Sequence, residues 1–192
     1  MSKLSIQPLP LAGLALIKTT PFEDSRGAFA RLFCAEELAA LSLPGPIAQI
    51  NHSRTTTVGA VRGLHFQHPP RAEAKIIRCL RGRVFDVAVD IRQNSSTFLQ
   101  WHAVELSAEN QLAYHLPRGF AHGFQVLEPN SELLYLHTDF YSPEHEGGLR
   151  HDDPALAIVW PLPVADLSAR DAGHPLIGSL TGQNRNFFGV II

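Results

Sequence analysis

Apolar and polar residues alternate along much of this 192-residue chain, and the alternation is interrupted again and again by its 14 prolines and 14 glycines. The cleanest stretch is 83–92, where Phe85, Val87, Val89 and Ile91 alternate with Asp86, Ala88 and Asp90. A period of two is that of a β-strand, whose side chains point to opposite faces in turn. The same criterion predicts strands at 14–19, 28–33, 48–55, 58–67, 75–80, 100–106, 112–116, 121–127, 132–138 and 155–160. Turn-forming clusters separate them: Asp24-Ser25-Arg26-Gly27, His68-Pro69-Pro70-Arg71, Arg81-Gly82, Pro117-Arg118-Gly119 and Glu128-Pro129-Asn130. The best helix candidate is 35–41, closed by Pro44-Gly45-Pro46, and Ser168 can cap a short turn carrying Asp171. Many short strands with little helix predict an all-β jelly roll or related antiparallel barrel. Such a barrel leaves a lumen able to hold one small ligand.

Composition narrows the choice of ligand. The formal net charge is −2, with 45% hydrophobic and 18% charged residues. These are globular values, and they argue against a broad nucleic-acid-binding surface. A few arginines can still hold a small anion locally. The two cysteines, Cys34 and Cys79, form no C-x-x-C and read as buried thiols of a reducing cytoplasm. No apolar run is long enough to span a bilayer, and the N-terminus reads as no signal peptide. The pattern divides into a single domain, 1–177, and a tail, 178–192, which is polar and then apolar and is expected to dock on the domain or on a partner subunit.

Chemistry concentrates first in Val61-Arg62-Gly63-Leu64-His65-Phe66-Gln67. A histidine directed into a barrel lumen can move protons near neutral pH. By itself such a residue is more often a core histidine held by one hydrogen bond. Strand parity sets Arg62 and His65 on opposite faces, so both can meet one ligand only if the chain bends, with Gly63 the place for it. Asp171 could orient His65 through its second ring nitrogen, though a surface aspartate is the simpler reading. Tyr135 lies in an apolar strand, as a core tyrosine or as a proton donor. Lys75 opens another strand and could stabilise an enolate oxygen if turned inward. The ten histidines include no H-x-H pair on one strand, so no metal is expected. There is no G-x-S-x-G, P-loop or Rossmann fingerprint.

Taken together, Arg62-Gly63-Leu64-His65-Phe66-Gln67, Phe85 to Arg92 and Gly119-Phe120-Ala121-His122-Gly123-Phe124 closely resemble the dTDP-4-dehydrorhamnose 3,5-epimerases. Asp24 to Gly27, Gln49 to Ser53, Lys75 to Arg78, Tyr135, Tyr141 to Gly147, Asp152 to Pro154 and Leu167 to Asp171 follow in family order. The resemblance implies a cupin-like jelly roll that inverts C3 and C5 of a dTDP-4-keto-6-deoxy-hexose. It implies His65 as base, Asp171 as its orienting carboxylate, Lys75 at the enolate and Tyr135 as proton donor. His122 matches another active-site histidine. Arg26, Arg62, Gln49 and Asn51 match residues holding the nucleotide and sugar, while Phe22 and Tyr141 match positions near the thymine. No metal or organic cofactor is implied. The implied assembly is a homodimer with exchanged N-terminal strands, which would place Phe22 and Arg26 in the neighbouring site.

The chain departs from the family pattern at four places. Arg31 stands where an acidic residue is usual, Glu73 where glutamine is, Leu136 where lysine is, and His151 where tryptophan is. These changes leave the proton-transfer set intact and bear on the sugar taken. Two alternatives fit the same fold: an enzyme acting at one carbon only or isomerising the ketone, and a non-catalytic sugar-nucleotide-binding cupin. The joint presence of His65, Tyr135 and Asp171 argues against the last.

Overall fold

The computed structural model describes residues 3–179. Its strands are β1 (Leu4–Pro8), β2 (Ala15–Thr19), β3 (Phe22–Asp24), β4 (Gly27–Phe29), β5 (Gln49–Thr55), β6 (Val61–Gln67), β7 (Lys75–Arg81), β8 (Arg83–Asp90), β9 (Trp101–Ser107), β10 (Leu112–Leu116), β11 (Phe120–Val126), β12 (Ser131–His137) and β13 (Glu146–Gly148). A four-residue helix, α1 (Ala169–Ala172), comes late in the chain.

Two antiparallel sheets form the body. One has the order β1-β2-β10-β7-β12-β5 and the other β13-β6-β11-β8-β9, while β3 and β4 make a separate hairpin. This is the expected all-β, cupin-like jelly roll. The central strands are covered on both faces, as β11, buried at every position, shows, while edge strands such as β5 stay largely exposed. Leu133, Ile77, Cys79, Val84, Ala88, Tyr114 and Phe124 belong to the cluster between the sheets. Leu64, Phe66, Val87, Val89 and Ala121 instead pack with Leu149 and Leu156 of the C-terminal segment. Ile17, Ile76, Ala113 and Leu136 pack with Leu4 and Leu38. Burying apolar surface at roughly 25 cal/mol per Å² makes these three layers the principal source of stability.

Some expectations fail for identifiable reasons. The helix expected at 35–41 is a pair of turns ending in a 3-10 segment, Ala39–Leu41. Leu38 there is 1% exposed, and docking this one side chain on the sheet wins over a weak helical propensity. The strand expected at 155–160 is irregular. Its apolar residues serve as a lid instead: Trp160 Nε1 donates to His151 O, and Leu156 is buried over the second sheet. Cys79 is buried, but Cys34 is only half-buried, because it lies on the outer covering loop. Strands β1, β3 and β13 escaped the periodicity reading, and β3 and β13, at three residues each, are too short to show a period. The tail lies outside the described residues beyond Ser179.

Candidate active site

A cavity of about 480 Å³ opens between the two sheets. From the six-stranded sheet, β5, β7 and β12 contribute Asn51, Ser53, Lys75, Tyr135 and His137. Register explains this grouping. Tyr135 stands opposite Asn51 on one side and Ile77 on the other, and His137 stands opposite Gln49 and Lys75. Paired residues share a face, so one alternating set from three strands turns inward together.

The opposite wall comes from β6 and β11, with Arg62, His65, His122 and Phe124. Here the parity problem is resolved by a bulge. His122 pairs with His65 and Phe124 pairs with Arg62, so three steps on β6 match two on β11. One extra residue reverses the face on which later side chains emerge. The backbone accommodates it at Gly63, whose φ is +127°. A Cβ at Gly63 would sit 2.5 Å from Gly123 Cα and 2.8 Å from His122 O. Glycine at both positions lets the two backbones touch.

His65 is held by α1. Ser168 caps this helix, its Oγ accepting from Asp171 N at 3.0 Å. The cap presents the Asp171 carboxylate to β6. Oδ1 lies 2.8 Å from His65 Nε2, and Oδ2 accepts from Gly63 N at 3.2 Å. A carboxylate only accepts, so Nε2 carries hydrogen and Nδ1 keeps the basic lone pair. Burial would raise the Asp171 carboxyl, but the bond and charge of His65 and the Gly63 N–H outweigh it and hold it well below the usual range.

Other charges complete the frame. Arg170 reaches both Glu146 oxygens at 3.0 Å and lies 3.1 Å from His65 Nε2. Guanidinium and Nε2–H both donate, so this last approach is a charge contact. His65, Asp171 and His174 are the one group among the described residues whose donor atoms could converge on a metal, lying within 4.8 Å of one another. A cation there would face the Arg170 charge.

Lys75 is 8% exposed, with Nζ 3.2 Å from Glu73 Oε1 and 3.4 Å from His65 O. Tyr135 shares a 3.0 Å hydrogen bond with Ser53 Oγ. Burial pushes its phenol up, so it is a neutral proton carrier at pH 7. His122 Nε2 lies 2.9 and 3.0 Å from the two oxygens of Asp86, which is fully buried. Burial raises that carboxyl despite the His122 charge.

The residues expected from sequence therefore divide. His65, Tyr135, Asp171, Lys75, Asn51, Arg62, His122 and Tyr141 all line this one cavity. Gln49 lies behind Asn51, to which it donates at 3.1 Å. Phe22 and Arg26 lie on the exposed β3–β4 hairpin, where Arg26 pairs with Asp24 at 2.6 Å. Sequence reasoning missed Arg170, Glu146, Ser53 and Asp86, the partner of His122, as site components. Asp86 carried a signal, being a charge inside an otherwise apolar strand. The others depend on loop placement and register, which leave no local trace.

The chain has close counterparts in sequence and fold. A family model described as dTDP-4-dehydrorhamnose 3,5-epimerase matches residues 8–179. The chain is 40% identical over 181 residues to the dTDP-4-dehydrorhamnose 3,5-epimerase of Sinorhizobium fredii, covering 94% of this chain and 93% of that one. It is 43% identical over 166 residues to the enzyme of that name from Salmonella typhimurium, covering 84% and 89%. A crystal structure of dTDP-6-deoxy-D-glucose-3,5-epimerase from Legionella pneumophila, in complex with dTDP-4-keto-L-rhamnose, superposes with a TM-score of 0.88 at 38% identity, covering 94% of this chain and 96% of that one. Sequence and fold together show that the chain belongs to the dTDP-4-dehydrorhamnose 3,5-epimerase family.

Proposed function

We propose that this isomerase inverts C3 and C5 of dTDP-4-keto-6-deoxyglucose, giving dTDP-4-keto-L-rhamnose, with the residues of the described cavity in the following roles. The C4 ketone acidifies the C–H bonds on either side. His65 Nδ1 takes such a proton, and the electron pair moves onto the ketone oxygen. Lys75 stabilises the resulting enolate. Tyr135, on the opposing sheet, returns a proton to the other face of the carbon, which inverts it. The ketone is the electron sink, so the reaction calls on no cofactor. Arg62 suits the diphosphate, because its fork bonds two oxygens at once. Gln49, Asn51, His122 and Tyr141 hold the sugar and base.

The carrying observation is the 2.8 Å His65–Asp171 bond in a cavity whose facing sheet supplies Tyr135 and Lys75. We further read the protein as a cytoplasmic homodimer. The hairpin formed by β3 and β4 exposes Phe22 at 56% and Phe29 at 77%, and its strands pair with neither main sheet. A partner's sheet would cover those rings and receive Phe22 and Arg26 beside its own cavity.

Incubation with dTDP-4-keto-6-deoxyglucose in D2O tests the chemistry. Deuterium at both C3 and C5 of the product is expected. Label at one carbon would replace this reading with a single-carbon epimerase, and no label would overturn it.

A further inference from the structure

Along the cavity wall runs a chain of hydrogen bonds whose direction is set at its end. Tyr141 N donates to Gln49 Oε1 at 3.0 Å. A backbone N–H can only donate, so Gln49 must offer its oxygen there and its Nε2–H₂ to the other side. That group donates to Asn51 Oδ1 at 3.1 Å. Asn51 is then left with Nδ2–H₂ toward His137 Nε2, the longest link at 3.5 Å. His137 must accept at Nε2 and carry its hydrogen on Nδ1. Nδ1 lies 2.9 Å from Glu73 Oε2, and a carboxylate supplies the acceptor that this tautomer requires. The other Glu73 oxygen takes Lys75 Nζ at 3.2 Å.

The chain is built, not incidental. His137 and Lys75 are register partners, as are His137 and Gln49. Glu73 is 8% exposed at its side chain and His137 12%. Burial would raise the Glu73 carboxyl, but the Lys75 charge and His137 outweigh it and hold it ionised. The His137 ring also stacks on Tyr135, with centroids 6.1 Å apart and planes 24° from parallel.

We propose that His137, held by Glu73, is a positioning residue that anchors the far end of the Asn51 amide for substrate. This rests on the proposed role of that amide in binding. Without His137, Asn51 Nδ2 loses its partner and the Asn51 amide is held only through Gln49. Glu73 would still hold Lys75, so binding suffers more than proton transfer.

The ring tautomer is tested first, without substrate. Long-range 1H–15N spectra of the native protein, with the His137 signals assigned by their loss in His137→Gln, should show a neutral ring protonated at Nδ1. A ring protonated at Nε2 would overturn the proposal whatever the enzyme's substrate. Kinetics then test the consequence. His137→Phe keeps a ring against Tyr135 and should raise KM about tenfold with kcat changed less than about twofold, the scale of one hydrogen bond. His137→Gln, which can donate toward Glu73 and accept from Asn51, should recover most of the loss. An unchanged KM in His137→Phe, or equal losses in both variants, would refute positioning by this ring.

Discussion

Arg62 and His65 stand three positions apart on one strand, yet both line the same cavity, because β6 carries one residue more than β11 between their pairing partners. A regular strand would send one of them to the opposite face. The bulge is therefore what lets Arg62 and His65 face one cavity.

That relationship makes Gly63 a sensitive position. Gly63→Ala must adopt a φ of +127° and press a methyl group on Gly123 and His122 O, both within 3 Å. Strain and overpacking together should cost about 2–5 kcal/mol. Denaturant unfolding checks this. A loss under about 1 kcal/mol would show that the bulge tolerates a side chain.

Removing the base and removing the acid should look different. His65→Asn should lower both C–H exchange and product formation by about 10²–10⁴-fold, with an unchanged circular dichroism spectrum. Tyr135→Phe keeps the base, so exchange of substrate hydrogen with D2O should outlast inversion. The assay is deuterium content of recovered substrate against product yield. Equal loss of the two in Tyr135→Phe would move the acid role to another residue.

Asp171 links catalysis to acid stability. Its folded-state carboxyl titrates below the unfolded value of about 4. The stabilisation it brings is therefore complete above about pH 4 and is lost as pH falls through the folded-state value. Asp171→Asn should be less stable than the parent at pH 7, and the gap should shrink by pH 3. Urea titrations at both pH values measure it. A gap that stays constant would show that folding does not lower the Asp171 carboxyl, and would refute this prediction.

The hairpin should govern assembly. Phe22→Ser with Phe29→Ser removes two exposed rings that face each other across β3 and β4. Sedimentation should show a dimer for the parent and a monomer for the double variant, with KM raised because Phe22 and Arg26 leave the neighbouring cavity. A parent chain that sediments as a monomer would refute the exchanged-strand reading.

The sequence by itself determined the jelly-roll class, because period-two alternation and turn residues act over a few neighbours. It also pointed to His65, Asp171, Tyr135 and Lys75, whose neighbours match a family pattern and which line one cavity. The helix expected at 35–41 and the strand expected at 155–160 were decided elsewhere: Leu38 and Leu156 are spent covering sheet faces, and long-range burial outweighs local propensity. Tertiary structure alone decided which groups meet. A β-bulge adds one residue without a composition signal, so the shared facing of Arg62 and His65 was a contradiction until pairing between β6 and β11 was known. The Glu73–His137–Asn51–Gln49 chain likewise spans residues up to 88 positions apart, joined only by register between β5, β7 and β12.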